Sequence, residues 1–398
     1  MNRQRILTSL AHKEPDCIPR DLGGTESSGI TAHALNRLNA HLNINKFTPR
    51  IFEPYQYVAY IPEILIQKFG IDTINLTPGP KNWIKVKNPA GFDVYLPEKW
   101  LEEQDDFGNT VIKSSSGNVI AKRPNEGIYF DPVNPPLAHL EHSSQLHKYK
   151  ESIYSFDWPF FADEGTEKTA SRAQEMHSGG RCVIFNLCCH LLAASQLLRG
   201  FENSMMDMIA NESMFIKIQE YLVEGYLQRI DKIAPVLRPY TDVILLNDDL
   251  GSQNAPMIPL DLYRKLVKPY QQILFSKAKK AFNAPILFHS CGAVGYFIPD
   301  LIEAGIDALN PVQVSAAGMG LKELKKYFGS SITFWGGGID TQSILNKSDP
   351  DKIRDNIRET LDIMAPGGGF VFCQVHNIQP DVPPENIVAM FEALDEFG

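Results

Sequence analysis

Eight short, apolar, β-rich runs recur along this chain, with helical patterns between most of them, and that alternation limits the possible folds more than any other feature. The runs span 17–22, 70–76, 182–187, 242–247, 285–289, 306–310, 332–336 and 369–374. Helical periodicity fills 191–235, where two helices are expected, and then 260–282, 295–304, 320–328 and 350–364. Strands that alternate with helices pair in parallel, because each crossover helix returns the chain to the end of the sheet where the strands begin. Eight such units imply a closed (β/α)8 TIM barrel. A doubly wound open sheet is the alternative, but no Gly-x-Gly-x-x-Gly follows the first run, as a dinucleotide-binding sheet would have. A hydrophobic content of 43% supports a core large enough for one such domain, taken as residues 1–398.

One region breaks the rhythm. Residues 80–130 read as β-hairpins, with turns at Asn-Pro-Ala-Gly, Phe-Gly-Asn and Ser-Gly-Asn. They imply an antiparallel insertion after the second strand, bounded at 80–135. Loops that follow barrel strands build the active-site face, so this insertion is expected to cap or shape a pocket there, or else to decorate or dimerise the barrel.

The N-terminal segment predicts an amphipathic helix with Ile6, Leu7 and Leu10 on one face, and not a signal peptide. No apolar stretch reaches the roughly 20 residues that span a bilayer. The net charge is −9 and there is no dense Lys/Arg run, which argues against a nucleic-acid partner. Six cysteines in 398 residues make no disulfide framework. A cytoplasmic protein with reduced thiols is expected, and no membrane association.

The chemistry concentrates at the expected strand ends. In Phe288-His289-Ser290-Cys291-Gly292, His289 and Cys291 are two apart on extended backbone and point to one face. Cys373 stands at the end of the eighth run, across the same mouth. One histidine and two cysteines suit a catalytic zinc with a fourth position left open, although a buried cysteine is more often core material. After the fourth run, Asp248 and Asp249 are candidates to orient His289, ligate metal or move a proton, against a plain reading as helix caps. His376 joins them as a candidate catalytic residue. Asn186, Asn247 and Gly337 are candidate substrate contacts; Gly336-Gly337-Gly338 can bring backbone N–H groups to an anion or simply turn the chain. The loop 23–29 has the same two readings. Cys188, Cys189 and His190 precede a helix and are read chiefly as packing and capping, while Cys17 and Cys182 begin strands and are read as structural.

Several of these segments belong to a recognisable pattern. They are Arg5-Ile6-Leu7, His12 to Pro19, Asn247 to Gly251, Lys268-Pro269-Tyr270, Phe288 to Gly292, Trp335 to Asp340, and Cys373 to Asn386. Together they resemble the uroporphyrinogen decarboxylase superfamily, in its branch of corrinoid-dependent methyltransferases. The resemblance implies zinc bound by His289, Cys291 and Cys373. It further implies a methyl group moved from a small methoxylated compound, an aryl O-methyl ether above all, to the Co(I) corrinoid (cobalamin) of a partner protein. The chain itself has no Asp-x-His-x-x-Gly segment of the kind that ligates cobalamin. The alternatives are transfer from a methyl-corrinoid to a zinc-bound thiol, decarboxylation of a porphyrinogen, and binding without catalysis. Porphyrinogen decarboxylases carry arginines in a Met-Arg-Gln-Ala-Gly-Arg-like segment; Pro19-Arg20-Asp21-Leu22-Gly23-Gly24 stands there instead.

Overall fold

The computed structural model describes residues 2–44, 47–88, 90–114, 117–125, 127–156 and 161–398. Its central sheet holds seven parallel strands: Thr73–Asn75, Cys182–Asn186, Val243–Asn247, Ile286–His289, Ala308–Asn310, Thr333–Trp335 and Phe370–Val371. Their spatial order follows the chain without reversal, so the sheet has no doubly wound switch point among the described residues. The first expected strand forms no ladder. Residue Pro19 has no N–H to give, and the segment makes one parallel bridge, Arg20 to Phe372. On the other side the Arg20 carbonyl accepts from the Asp72 N–H at 3.0 Å. Residues 19–21 thus join the last strand to the first and close the ring of eight. The fold is a TIM-barrel-like α/β fold.

Strand residues alternate between two cores, as a closed barrel demands. Ile184, Leu245, Leu287, Ala308, Trp335 and Val371 fill the interior. Phe185, Leu246, Phe288, Leu309, Phe334 and Phe370 face the helices. The N-terminal helix Asn2–Leu10 plugs the end where the strands begin: Ile6 enters the interior cluster and Leu10 packs on it. Leu7 is only half-buried, and Ser9 takes its place on the inner face, its hydroxyl donating to the Phe370 carbonyl at 2.6 Å.

The expected 191–235 pair is three helices, Leu192–Arg199, Phe201–Ala210 and Glu212–Leu237, interrupted at Gly200 with φ +86° and at Asn211. The 260–282 pattern divides at Val267, ahead of Pro269, into Leu260–Leu266 and Lys268–Phe282. Between the barrel strands Thr73–Asn75 and Cys182–Asn186 lie antiparallel strands: Trp83–Lys87 paired with Asp93–Pro97, and a four-stranded sheet from Glu102–Gln104, Thr110–Lys113, Val119–Arg123 and Asp131–Pro132. Their turns use left-handed backbone at Gly91, Gly108 and Gly117, where a side chain would be strained. Pro89 and Ser116 of the expected turns lie outside the described residues. No helix among the described residues is long and apolar enough to cross a membrane.

Candidate metal centre and active-site cavity

His289 ends its strand in register with Asn247 on one side and Asn310 on the other. Its Nδ1 lies 2.9 Å from Ser27 Oγ and 2.8 Å from Asn310 Oδ1. The Asn310 Nδ2 donates to the Trp335 carbonyl at 2.9 Å, which turns the amide oxygen toward the ring. That oxygen can only accept, so Nδ1 carries the proton and Nε2 keeps a lone pair. On the Nε2 side stand Cys291 Sγ at 3.4 Å and an Asp249 carboxylate oxygen at 3.7 Å. The Asp249 oxygen also accepts the Cys291 N–H at 2.8 Å, which holds the His-x-Cys segment in place. The His376 ring sits 5.5 Å from that of His289, centroid to centroid.

One ligand atom from each of His289, Cys291 and His376 lies within 4.8 Å of the other two. Two imidazole nitrogens and one sulfur are a donor set that zinc accepts, with a coordination position left for substrate. Burial, with His289 close by, lowers His376 to about 3, so its ring is neutral and can ligate. Burial, with Asp249 beside it, pushes the Cys291 thiol well above its ordinary value. A bound cation reverses that preference and favours thiolate. This group can hold a metal ion.

Cys373, expected as the third ligand, stands outside the group. Its sulfur contacts the Gln374 carbonyl at 3.2 Å and the Asn310 amide nitrogen at 3.7 Å, inside the barrel core. The cause is the course of the last strand. The central ladder ends at Val371, and parallel pairing resumes beyond Cys373 as a separate two-stranded ladder, Gln374–Val375 against Ile339–Asp340. The carboxyl end of that strand is therefore at Val375, and the residue delivered to the mouth is His376.

The other expected site residues separate in the same way. Asp249 faces the cavity, but Asp248 turns into the protein, where its carboxylate accepts the N–H groups of Leu191 at 3.1 Å and Ala193 at 2.9 Å. It anchors the start of the helix Leu192–Arg199, and burial raises it to about 6. Gly337 presents no free N–H: Gly336, Gly337 and Gly338 donate to the carbonyls of Val371, Pro311 and Cys373. The run is glycine because a Cβ at Gly336 would lie 2.0 Å from the Pro311 carbonyl oxygen. Asn186 is buried and committed to Glu26, donating to both carboxylate oxygens at 2.6 Å, so it does not reach the cavity. Asn247 lies beside the centre; its carbonyl meets His190 Nδ1 at 3.2 Å. Its side-chain oxygen is buried without a partner in the structure. Cys188 and Cys189 are buried, and burial lowers His190 to about 4.

Above the centre opens a cavity of about 820 Å³. Asp249, Cys291 and His376 form one wall; Tyr129, Phe130, Asp131 and Pro132, at the end of the antiparallel region, form another; Ala193, Leu197 and Phe201 come from the helices after the Cys182–Asn186 strand. Glu53 also lines it, raised by burial to about 8 while accepting the N–H groups of Tyr55 and Gln56. Ser27, Asn310 and Glu53 were not singled out as site residues from the sequence. Asn310 had a signal: a polar residue at the carboxyl end of a barrel strand, two positions after inward-facing Ala308. Ser27 lies in the loop 23–29, read from the sequence as a turn or an anion contact without naming that side chain, and Glu53 ends the short strand Ile51–Glu53, which no expected element covered.

A family model for uroporphyrinogen decarboxylase (URO-D) matches residues 173–397. The uroporphyrinogen decarboxylase of Methylococcus capsulatus is 29% identical over 114 residues, covering 29% of this chain and 30% of that protein. That of Coxiella burnetii is 25% identical over 160 residues, covering 39% and 41%. The alignments thus span less than half the length of these curated relatives. A methyltransferase from Methanosarcina mazei matches over 100% of this chain and 98% of its own, with a TM-score of 0.60 and 16% identity, a likeness of fold. Because the family match covers more than half of the 398 residues and falls on the strands that build the site, the chain belongs to the uroporphyrinogen decarboxylase family.

Proposed function

We propose that this protein is a zinc-dependent methyltransferase that takes the methyl group of a small methoxylated compound, an aryl O-methyl ether, and passes it to the Co(I) corrinoid of a partner protein. The observation that carries the reading is the His289, Cys291 and His376 group, of which Cys291 and His376 line a cavity with an aromatic side. Zinc held there would act as a Lewis acid on the ether oxygen, stabilising the charge that develops as the aryl–oxygen group leaves. The remaining work falls to the protein's own side chains. Ser27 and Asn310 keep the proton on His289 Nδ1. Asp249 fixes the Cys291 backbone. Tyr129, Phe130 and Phe201 offer the aryl ring an apolar wall and thin out water. The methyl carbon leaves the oxygen, which keeps the bonding pair, for the cobalt of a corrinoid docked over the mouth. A methyltransferase with the same fold agrees with this reading.

Porphyrinogen decarboxylation fits less well. Arg20, the one arginine in the 19–24 stretch, gives its guanidinium to the Phe69 carbonyl at 3.1 Å and to Asp395 at 2.6 Å, away from the cavity. The six described cysteines are free, which agrees with a cytoplasmic location. The test mixes this protein, a reduced corrinoid protein and methoxylated aromatics, and follows the cobalt spectrum. Conversion of Co(I) to methyl-Co(III) that needs all three components and zinc supports the proposal. Demethylation of methyl-Co(III) by a thiol, without the forward reaction, would reverse the direction. Release of CO2 from a porphyrinogen instead would overturn it.

A further inference from the structure

The cavity has a one-sided charge. Four carboxyl groups line it, from Glu53, Asp131, Asp249 and Asp340. No lysine or arginine does, among the described residues. They enter from four separate parts of the fold: the short strand Ile51–Glu53, the end of the antiparallel strands, the strand end beside His289, and the Ile339–Asp340 strand. Asp340 is anchored by the backbone, accepting from Ser343 at 2.7 Å, and a hydrogen bond from a neutral amide leaves its carboxylate without a counter-charge, whereas burial raises Glu53 to about 8 and keeps it a neutral acceptor at neutral pH. The aromatic rings of Tyr55, Tyr129, Phe130 and Phe201 share the same walls. Carboxylates with aromatic faces attract a cation and repel an anion, and a partly enclosed site strengthens both effects relative to water.

We infer that this cavity selects its ligand by charge. It takes neutral or ammonium-bearing aryl methyl ethers and rejects those that carry a carboxylate. The inference rests on the proposed reaction for the aryl ether class, and adds to it the charge that the rest of the donor can carry. A carboxylated donor would place its anion among Asp131, Asp249 and Asp340, where the proposed zinc, offset in part by the Cys291 thiolate, is the one cation against three carboxylates, and like charges facing across a binding site oppose binding. The same asymmetry disfavours any polycarboxylate.

Calorimetric titration of the purified, zinc-loaded protein with three probes of similar size tests this: 4-methoxybenzylamine, 4-methoxybenzyl alcohol and 4-methoxybenzoate. The amine, a cation at neutral pH, binds tightest and the alcohol next. The benzoate is weaker than the amine by about tenfold or more, and the gap narrows with added salt. Asp131→Lys, at an exposed position, should close that gap by about tenfold, and Asp131→Asn by less. Equal or tighter binding of the benzoate overturns the inference, as does an unchanged order in Asp131→Lys, or no binding of any probe. Because binding is read without a corrinoid protein, charge-ordered binding with no methyl transfer would remove the proposed reaction and leave the selection by charge standing.

Discussion

Cys291 and Cys373 were both expected at the carboxyl ends of barrel strands, yet they occupy opposite worlds. Cys291 is half-buried on the wall of an 820 Å³ cavity, with two imidazoles and a carboxylate within a few ångströms. Cys373 is fully buried among Trp335, Val371 and Cys182, and its polar company is an amide and a backbone carbonyl. Asp248 and Asp249 repeat the contrast in adjacent residues: one caps a helix inside the protein, the other looks into the cavity. Position at a strand end therefore does not define a site residue. Depth in the barrel and the side of the backbone decide it.

The largest expected effect follows directly from that contrast. Cys291→Ala and His376→Ala should each lose bound zinc, read by elemental analysis after gel filtration, with the far-UV circular dichroism unchanged. Cys373→Ala should keep zinc and lose only about 1 kcal/mol of stability, as a small core truncation does. Zinc lost from Cys373→Ala but kept by His376→Ala would invert the comparison and restore Cys373 as a ligand.

A smaller effect separates the two aspartates. Asp248 is raised in the folded state to about 6 from 3.8, so the fold binds a proton more tightly there than the unfolded chain does. Its contribution is fully present below about 4 and is lost as pH rises to about 6. Relative to Asp248→Asn, the natural protein should lose up to about 3 kcal/mol of stability across that window in denaturant melts. The lowered His376 and His190 contribute the opposite slope in both proteins and cancel in the difference. A flat difference from pH 4 to 7 would remove Asp248 from its buried place at the helix start.

The smallest effect concerns the residue between the two cysteines. Asn310 touches His289 with its oxygen and Cys373 with its nitrogen. Removing the acceptor that fixes the His289 tautomer in Asn310→Ala should weaken zinc binding by about 10–100-fold, measured by chelator competition. Unchanged affinity would mean that Ser27 alone orients the ring.

Much of the barrel was legible because its cause is local. Seven of the eight apolar runs became strands, since period-2 burial on both faces needs continuous apolar residues wherever the chain places them. The His289-x-Cys291 pair was legible for the same reason: two residues on one short extended segment share a face whatever surrounds them. The first strand dwindled to a single bridge at Arg20, and it is one because the ring must close there.

The rest needed the folded chain. Nothing local tells whether Cys373 or His376 reaches the mouth. That depends on a ladder between 339–340 and 374–375, two segments far apart in sequence, which carries the strand past Cys373. Nor can the sequence reveal that Ser27 and Asn310, 283 positions apart, meet on one imidazole nitrogen. The sequence determined the periodicity, the strand-end chemistry and the pair on one strand, because each is written within a few residues. Tertiary structure decided which strand ends converge, how deep each side chain sits and which charges share a cavity, because barrel closure and strand register are set by contacts between distant segments.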